Sequence, residues 1–297
     1  MFKTVGFIGL GAMGSRMVKH LKGTADILVY DTDDARASEA ASCVGGRVVK
    51  DLSGMAGADA VILMLPTSVV VDQILHGGGG TQGLLDHLAK GAMVIDMSSS
   101  APTNSVANAE IASKRGISFI DAPVSGGIKG AEAASLAIMA GGSQDEYDRA
   151  LPLLQKMGAN VFLVGKVGAG HAIKALNNLL AATNFIAASE VFAVGAKFGL
   201  DPSTMLKVVN ASSGQNFQTT HFWEKAVIER TFSLGFALAL MEKDVRVAMS
   251  LFDAMGSDAL LSRTSAGIWA KALATATPGS DMSIVAKQAE EALGLPQ

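Results

Sequence analysis

Cysteine is almost absent: Cys43 is the single thiol among 297 residues. One thiol cannot close an internal disulfide, so no disulfide framework is expected, and the composition fits a reducing, cytoplasmic compartment. Charge is sparse too. Charged residues make up 17% of the chain, with 24 Lys plus Arg against 27 Asp plus Glu and a formal net charge of −3. Lacking a basic surplus or a charge run, the chain is not expected to engage nucleic acid or a membrane surface. The five histidines, at 20, 76, 87, 171 and 221, form no H-x-x-x-H pair and no Cys/His spacing, so no metal site is expected. A G-x-S-x-G nucleophile elbow is missing. There is no short repeat and no low-complexity tract beyond glycines 77–80, which read as a loop.

Apolar residues, by contrast, supply 49% of the chain, enough for one large domain or two moderate ones. The first residues, Met1-Phe2-Lys3 and the apolar ones after them, could mimic a secretory signal. Four glycines between Gly6 and Gly14, followed by Arg16, Lys19 and His20, break that pattern. The apolar stretch 176–196 is interrupted by Asn177, Asn178, Asn184 and Glu190 and reads as a buried helix of a soluble protein, not a membrane span.

Short strand-like runs at 4–8, 27–30, 60–65, 93–96, 119–121, 136–140 and 161–164 alternate with helical patterns. Such alternation predicts βαβ units and a mostly parallel sheet. After Gly165 no convincing strand follows, and long segments rich in Ala, Leu, Met and Lys take over. Asp201 before Pro202 is a helix start. The expected architecture is an α/β amino-terminal domain of Rossmann type, residues 1–165, followed by an all-α domain, residues 166–297.

A dinucleotide fingerprint opens the chain. The strand-like residues 4–8 lead into Gly9-Leu10-Gly11-Ala12-Met13-Gly14, and a helix is expected over 15–22. In this G-x-G-x-x-G pattern Gly9 permits the tight turn, Gly11 admits the pyrophosphate, and Gly14 lets helix and strand pack closely. Asp31 closes the second strand, where a carboxylate accepts the ribose hydroxyls and repels a 2′-phosphate. That favours NAD over NADP, with NADP still possible. Leu65-Pro66 and Ser98 to Ser100 also end strands, where α/β sheets bind ligands. The alternative for the serines is to cap the helix after Pro102.

Two further stretches carry chemistry. Ser125-Gly126-Gly127 offers a hydroxyl and close backbone amides, which can cradle a carboxylate or simply make a tight turn. Lys174 and Asn178 are four apart and share one face of a long helix. Apolar neighbours Ile173, Ala175 and Leu176 would partly bury the ammonium and lower its pKa, as acid–base work near neutrality requires. A snorkelling surface lysine is the alternative. His171 shares that face as a competing acid–base group or, more commonly for a lone histidine on an apolar helix, a structural one.

Together these motifs resemble the β-hydroxyacid dehydrogenase family along essentially the whole chain. Phe7 to Gly14 resembles its amino-terminal signature, Asp121 to Gly127 with Gly130-Ala131 its substrate signature, and Gly168 to Asn178 its catalytic signature. Glu242-Lys243-Asp244 resembles its Lys-Asp pair. The resemblance implies that Ser125, Gly126 and Gly127 hold a small carboxylate substrate and that Lys174 exchanges the proton of its 3-hydroxyl. It implies that Asn178 positions both, that Lys243 reaches the cofactor, and that the reaction occurs in a water-excluding cleft between domains. It also implies a homodimer or homotetramer. Residues 212–217, with Phe232 and Phe236, should approach the substrate, and they match no single one. The segment 44–49 looks compressed, which bears on the sheet edge. A non-catalytic interaction module or an imine reductase would replace Lys174, and a decarboxylating 6-phosphogluconate dehydrogenase would need a longer helical half.

Overall fold

The computed structural model describes residues 2–295. Residue 1 and residues 296–297, the outer limits of the two expected domains, lie outside the described residues. Apolar runs bounded by turn residues become strands: β1 (Thr4–Ile8), β2 (Asp26–Tyr30), β3 (Arg47–Val48), β4 (Ala60–Leu63), β5 (Gly77–Gly78), β6 (Thr81–Gln82), β7 (Met93–Asp96), β8 (Ser118–Asp121), β9 (Val124–Ser125), β10 (Ala137–Gly141) and β11 (Asn160–Gly165). The main sheet has the order β11-β10-β8-β7-β4-β1-β2-β3, with β9 paired to β10. Its ladders are parallel except where β10 meets β8 and β9.

β4 and β7 are buried along their whole length, as continuous apolar strands covered on both faces should be. Alternate residues feed opposite faces. Phe7, Ile62 and Ile95 enter one core cluster, and Ile8, Val61, Leu63 and Val94 enter another. Strand order reverses between β1 and β4. At such a switch point the loops after the carboxyl ends diverge and leave room for a ligand.

Local expectations differ in three places. The helix expected over 15–22 is α-helical only over Gly14–Met17 and tightens into a 3-10 turn over Val18–Leu21. Gly23, at φ 73°, then turns the chain into β2. Glycines 77–80 are not a plain loop. Gly79 and Gly80, at φ 60° and 89°, make the tight turn that pairs β5 with β6. The strand expected over 60–65 stops at Leu63, because the Leu65 amide donates to Ser98 Oγ at 2.9 Å instead of to a neighbouring strand. At the sheet edge, the compressed segment yields the two-residue β3.

The chain divides into two compact units between Lys174 and Ala175, inside the helix Ala169–Phe198. The second unit is helical: among its described residues the one strand-like contact is the bridge Ala237–Asp281. Its core gathers around Phe185, whose ring centroid lies 5.4 Å from Trp223 and 6.3 Å from Trp269. Asp201 caps the helix Pro202–Asn210 by accepting from the Thr204 amide at 2.8 Å. The helix Ala169–Phe198 is long and apolar enough to cross a membrane by length and composition, and 50% of its apolar window is buried. Leu179, Ala182, Phe185, Ile186 and Phe192 are among the helix residues buried in the second unit's core.

Candidate active site

The glycine turn after β1 is tight where it must be and open where a ligand must come. Gly9 has φ 95°, and a Cβ added there would lie 2.3 Å from the Met64 carbonyl oxygen. A Cβ on Gly14 would lie 1.9 Å from the Gly9 carbonyl oxygen. Both positions exclude any side chain. Around Gly11 nothing stands within 4 Å. Packing therefore does not explain that glycine, whereas close approach of a phosphate would. Arg16 adds a cation to the turn: Nη1 donates to the Ala12 carbonyl at 2.7 Å, while Nε is buried without a partner among the described residues. This set fits a dinucleotide.

Asp31 stands directly after β2, beside that turn. Its Oδ2 accepts the Leu10 amide at 2.6 Å and its Oδ1 the Asp33 amide at 2.9 Å. Each carboxylate oxygen can accept a second bond, so both retain capacity for ribose hydroxyls. Leu10 itself points into the core, Met13 is partly buried against it, and Ala12 is exposed.

The loops after β4 and β7 are joined through Ser98. Besides accepting from Leu65, Ser98 donates its amide to Asp96 Oδ1 at 3.0 Å, and Ser100 Oγ donates to Asp96 Oδ2 at 3.0 Å. Asp96, Ser98 and Ser100 are buried. Neither serine caps the helix Pro102–Lys114, as the alternative reading had it. Its N-cap is Ala101, whose amide donates to Ser68 Oγ at 2.8 Å. Pro66 is exposed at the end of the neighbouring loop.

Ser125 ends β9, and Gly126 and Gly127 follow at φ 130° and 60°. No atom lies within 4 Å of a Cβ built on Gly127. The antiparallel pairing Ser125 to Ala137 anchors this turn on β10.

Lys174 is half-buried on the helix Ala169–Phe198, with Ala175 buried beside it. Asn178, one turn on, is also buried, and its Nδ2 donates to Asp244 Oδ2 at 2.6 Å. Asp244 Oδ1 lies 3.2 Å from Lys243 Nζ. Asn178 Oδ1 accepts from Asn177 Nδ2 at 3.2 Å, which fixes the orientation of its amide. Asp244 thus clamps two expected site residues, a role sequence reasoning missed. Asn178 and Asp244 are 66 positions apart, and the adjacent Lys-Asp pair was the sole signal.

His171 is the second residue whose role was underestimated. It is buried, with its ring held on both nitrogens and its amide bonded to Asp121 Oδ2 at 2.7 Å. Burial pushes the Asp121 carboxyl above its ordinary pKa, and His171 with the Gly168 amide pulls it partly back. Phe217 is exposed and stacks on His221 at 4.3 Å, whereas Phe232 and Phe236 pack against the second unit's core. The Asp281 carboxylate pins that last segment by accepting from the amides of Leu234, Gly235 and Phe236. Among the described residues no cluster of His, Cys, Asp and Glu is arranged to hold a metal.

A doubly wound sheet with this turn, continued by a long helix that bears Lys174, is the arrangement of a nicotinamide-dependent oxidoreductase. The family model for the NAD-binding domain of 6-phosphogluconate dehydrogenase matches residues 4–165. That for the NAD-binding region of NADP-dependent 3-hydroxyisobutyrate dehydrogenase matches residues 168–289. The chain is 33% identical over 293 residues to 2-(hydroxymethyl)glutarate dehydrogenase of Eubacterium barkeri, covering 98% of this chain and 96% of the other. It is 34% identical over 294 residues to NAD-dependent L-serine dehydrogenase of Pseudomonas aeruginosa, covering 96% and 97%. The solved structure of Mycobacterium tuberculosis 3-hydroxyisobutyrate dehydrogenase with L-serine superposes with a TM-score of 0.88 at 34% identity, covering 97% and 99%. The chain belongs to the β-hydroxyacid dehydrogenase family. It is an NAD- or NADP-dependent dehydrogenase acting on a CH–OH donor.

Proposed function

We propose that this enzyme interconverts a 3-hydroxy acid and its semialdehyde, with Lys174 as the general acid–base group. The observation that carries the reading is the half-buried Lys174 one helical turn from Asn178, whose amide Asp244 holds in one orientation. In the oxidising direction the Lys174 amine takes the proton of the 3-hydroxyl. A bound nicotinamide would supply the redox chemistry, as the acceptor of the C3 hydride with its electron pair. The reverse direction returns both. Ser125 and the amides of Gly126 and Gly127 hold the carboxylate, Asn178 orients the hydroxyl, and Lys243 reaches the cofactor. The turn 9–14, Asp31, Leu65, Pro66, Ser98 and Ser100 form the cofactor side, the serines through the loop they brace. Asp31 favours NAD, because a second negative charge beside its carboxylate would be repelled.

The substrate class follows from chemistry shared by the relatives. 3-Hydroxyisobutyrate, 2-(hydroxymethyl)glutarate and serine all carry a CH2OH group on the carbon next to a carboxylate. We therefore assign a 2-substituted 3-hydroxypropanoate as substrate, a class that includes glycerate, the reduced form of tartronate semialdehyde, with succinic semialdehyde and glyoxylate as alternatives to be tested. Initial rates of NADH and NADPH formation would be compared for 3-hydroxyisobutyrate, L-serine, 2-(hydroxymethyl)glutarate and glycerate, with 4-hydroxybutyrate and glycolate as contrasts. The reading expects kcat/KM to be about 100-fold higher, roughly 3 kcal/mol of transition-state binding, for a member of the first group and with NAD. Preference for glycolate or 4-hydroxybutyrate would overturn the substrate class.

A further inference from the structure

The start of the lysine helix is seated by unusually close contacts. A Cβ on Gly170 would lie 2.1 Å from the Met139 carbonyl oxygen and 2.8 Å from Asp121 Oδ2. One on Gly141 would lie 2.4 Å from Asp121 Oδ1. Asp121 uses both carboxylate oxygens on this seat, accepting the amides of Gly168 and His171 at 2.7 Å each. His171 then extends the seat sideways. Its Nε2 is 3.0 Å from the Ser98 carbonyl oxygen, which only accepts, so the proton sits on Nε2. Its Nδ1 is 2.7 Å from Ser105 Oγ, a hydroxyl that also reaches the Ala101 carbonyl at 3.4 Å. The carboxylates of Asp121 and Asp96 lie 3.6 and 4.0 Å from the ring nitrogens.

We infer that His171 is a positioning residue, which ties the helical turn bearing Lys174 to the Ser98 loop on the cofactor side. The bonds run without a gap. Leu65 donates to Ser98 Oγ, the Ser98 carbonyl accepts from His171, and Lys174 follows three residues later on the same helix face. A histidine serves because it presents two hydrogen-bonding nitrogens at opposite ends of one rigid ring, held here by the Ser98 carbonyl and the Ser105 hydroxyl. This rests on the reading of Lys174 as the acid–base group. Misplacing a reacting group by about 1 Å costs on the order of 100-fold in rate, so the role belongs in kcat and not in binding.

The test is steady-state kinetics on 3-hydroxyisobutyrate or L-serine, whichever turns over, with NADH affinity by fluorescence and melting temperature alongside. His171→Leu removes both ring bonds and is expected to lower kcat about 10- to 100-fold, with KM and NADH Kd within about threefold of wild type. His171→Gln can return a donor to Ser98 and is expected to recover kcat to within about fivefold of wild type. Ser105→Ala, which keeps the ring, should lower kcat by a smaller factor and decides the matter if His171→Leu does not fold. Wild-type kcat in His171→Leu or Ser105→Ala would overturn the inference. So would equal losses in the Leu and Gln variants, or losses that appear in KM and Kd instead. Lys174→Ala separates the two readings. Turnover in that variant removes the acid–base role on which this rests, whereas an inactive Lys174→Ala beside a fully active His171→Leu removes the positioning role alone.

Discussion

A methyl group is the smallest probe of the glycine turn, and it distinguishes glycines kept for packing from those kept for a ligand. Gly14→Ala would place a Cβ 1.9 Å from the Gly9 carbonyl oxygen. The backbone must shift, at a cost of about 1–3 kcal/mol, visible as a lower melting temperature. Gly11→Ala meets nothing within 4 Å, so melting should stay at the wild-type value while NADH affinity falls about tenfold or more. Equal melting losses would show that Gly11 too is a packing residue. Much of the candidate site could be read at this scale, because each motif is local in sequence: 9–14, 125–127, and 174 with 178 one helical turn on. What could not be read are partners brought together by the fold. Asp244 reaches Asn178 across 66 positions, and His171 reaches Ser98 across 73. A lone buried histidine carries no local signal of which carbonyl it will meet.

Elements were legible where an apolar run was long and bounded. β1 and β7 begin and end as their runs do. Legibility failed where pairing depends on a distant strand. β3 and β9 have two residues each and exist through their ladders with β2 and β10. The start of β1 is also fixed from outside. Asp59 Oδ2 accepts the amides of Thr4 and Lys3, at 3.0 and 2.6 Å, and these bonds hold its carboxyl below the ordinary 3.8. A lowered carboxyl contributes stability that is present above pH 3.8 and lost as pH falls through the lowered value. Asp59→Ala should therefore cost about 1 kcal/mol near neutral pH. The gap from wild type should close as the solution is acidified. A gap that widens toward acid, measured by melting at several pH values, would contradict this. Asp121 acts with the opposite sign. Its contribution is full below 3.8 and is lost as pH rises through the raised value.

At the scale of the whole molecule, the helix Ala169–Phe198 leaves Leu180, Val191, Val194 and Phe198 exposed at 62%, 55%, 58% and 83%. Their spacings of 11, 3 and 4 put them on one face. This apolar stripe supports the proposal that the enzyme is a homo-oligomer. A Val191→Glu, Val194→Glu double variant should shift the mass by light scattering to that of one chain, and an unchanged mass would place any interface elsewhere. The account as a whole rests on Lys174, and one paired measurement bears on it most directly: turnover and NADH binding in Lys174→Ala. The account predicts loss of kcat by about 1,000-fold or more, with NADH bound within about threefold of the wild-type Kd, because an acid–base group acts on the proton and not on the cofactor. Turnover at the wild-type rate, with NADH bound equally well, would contradict it.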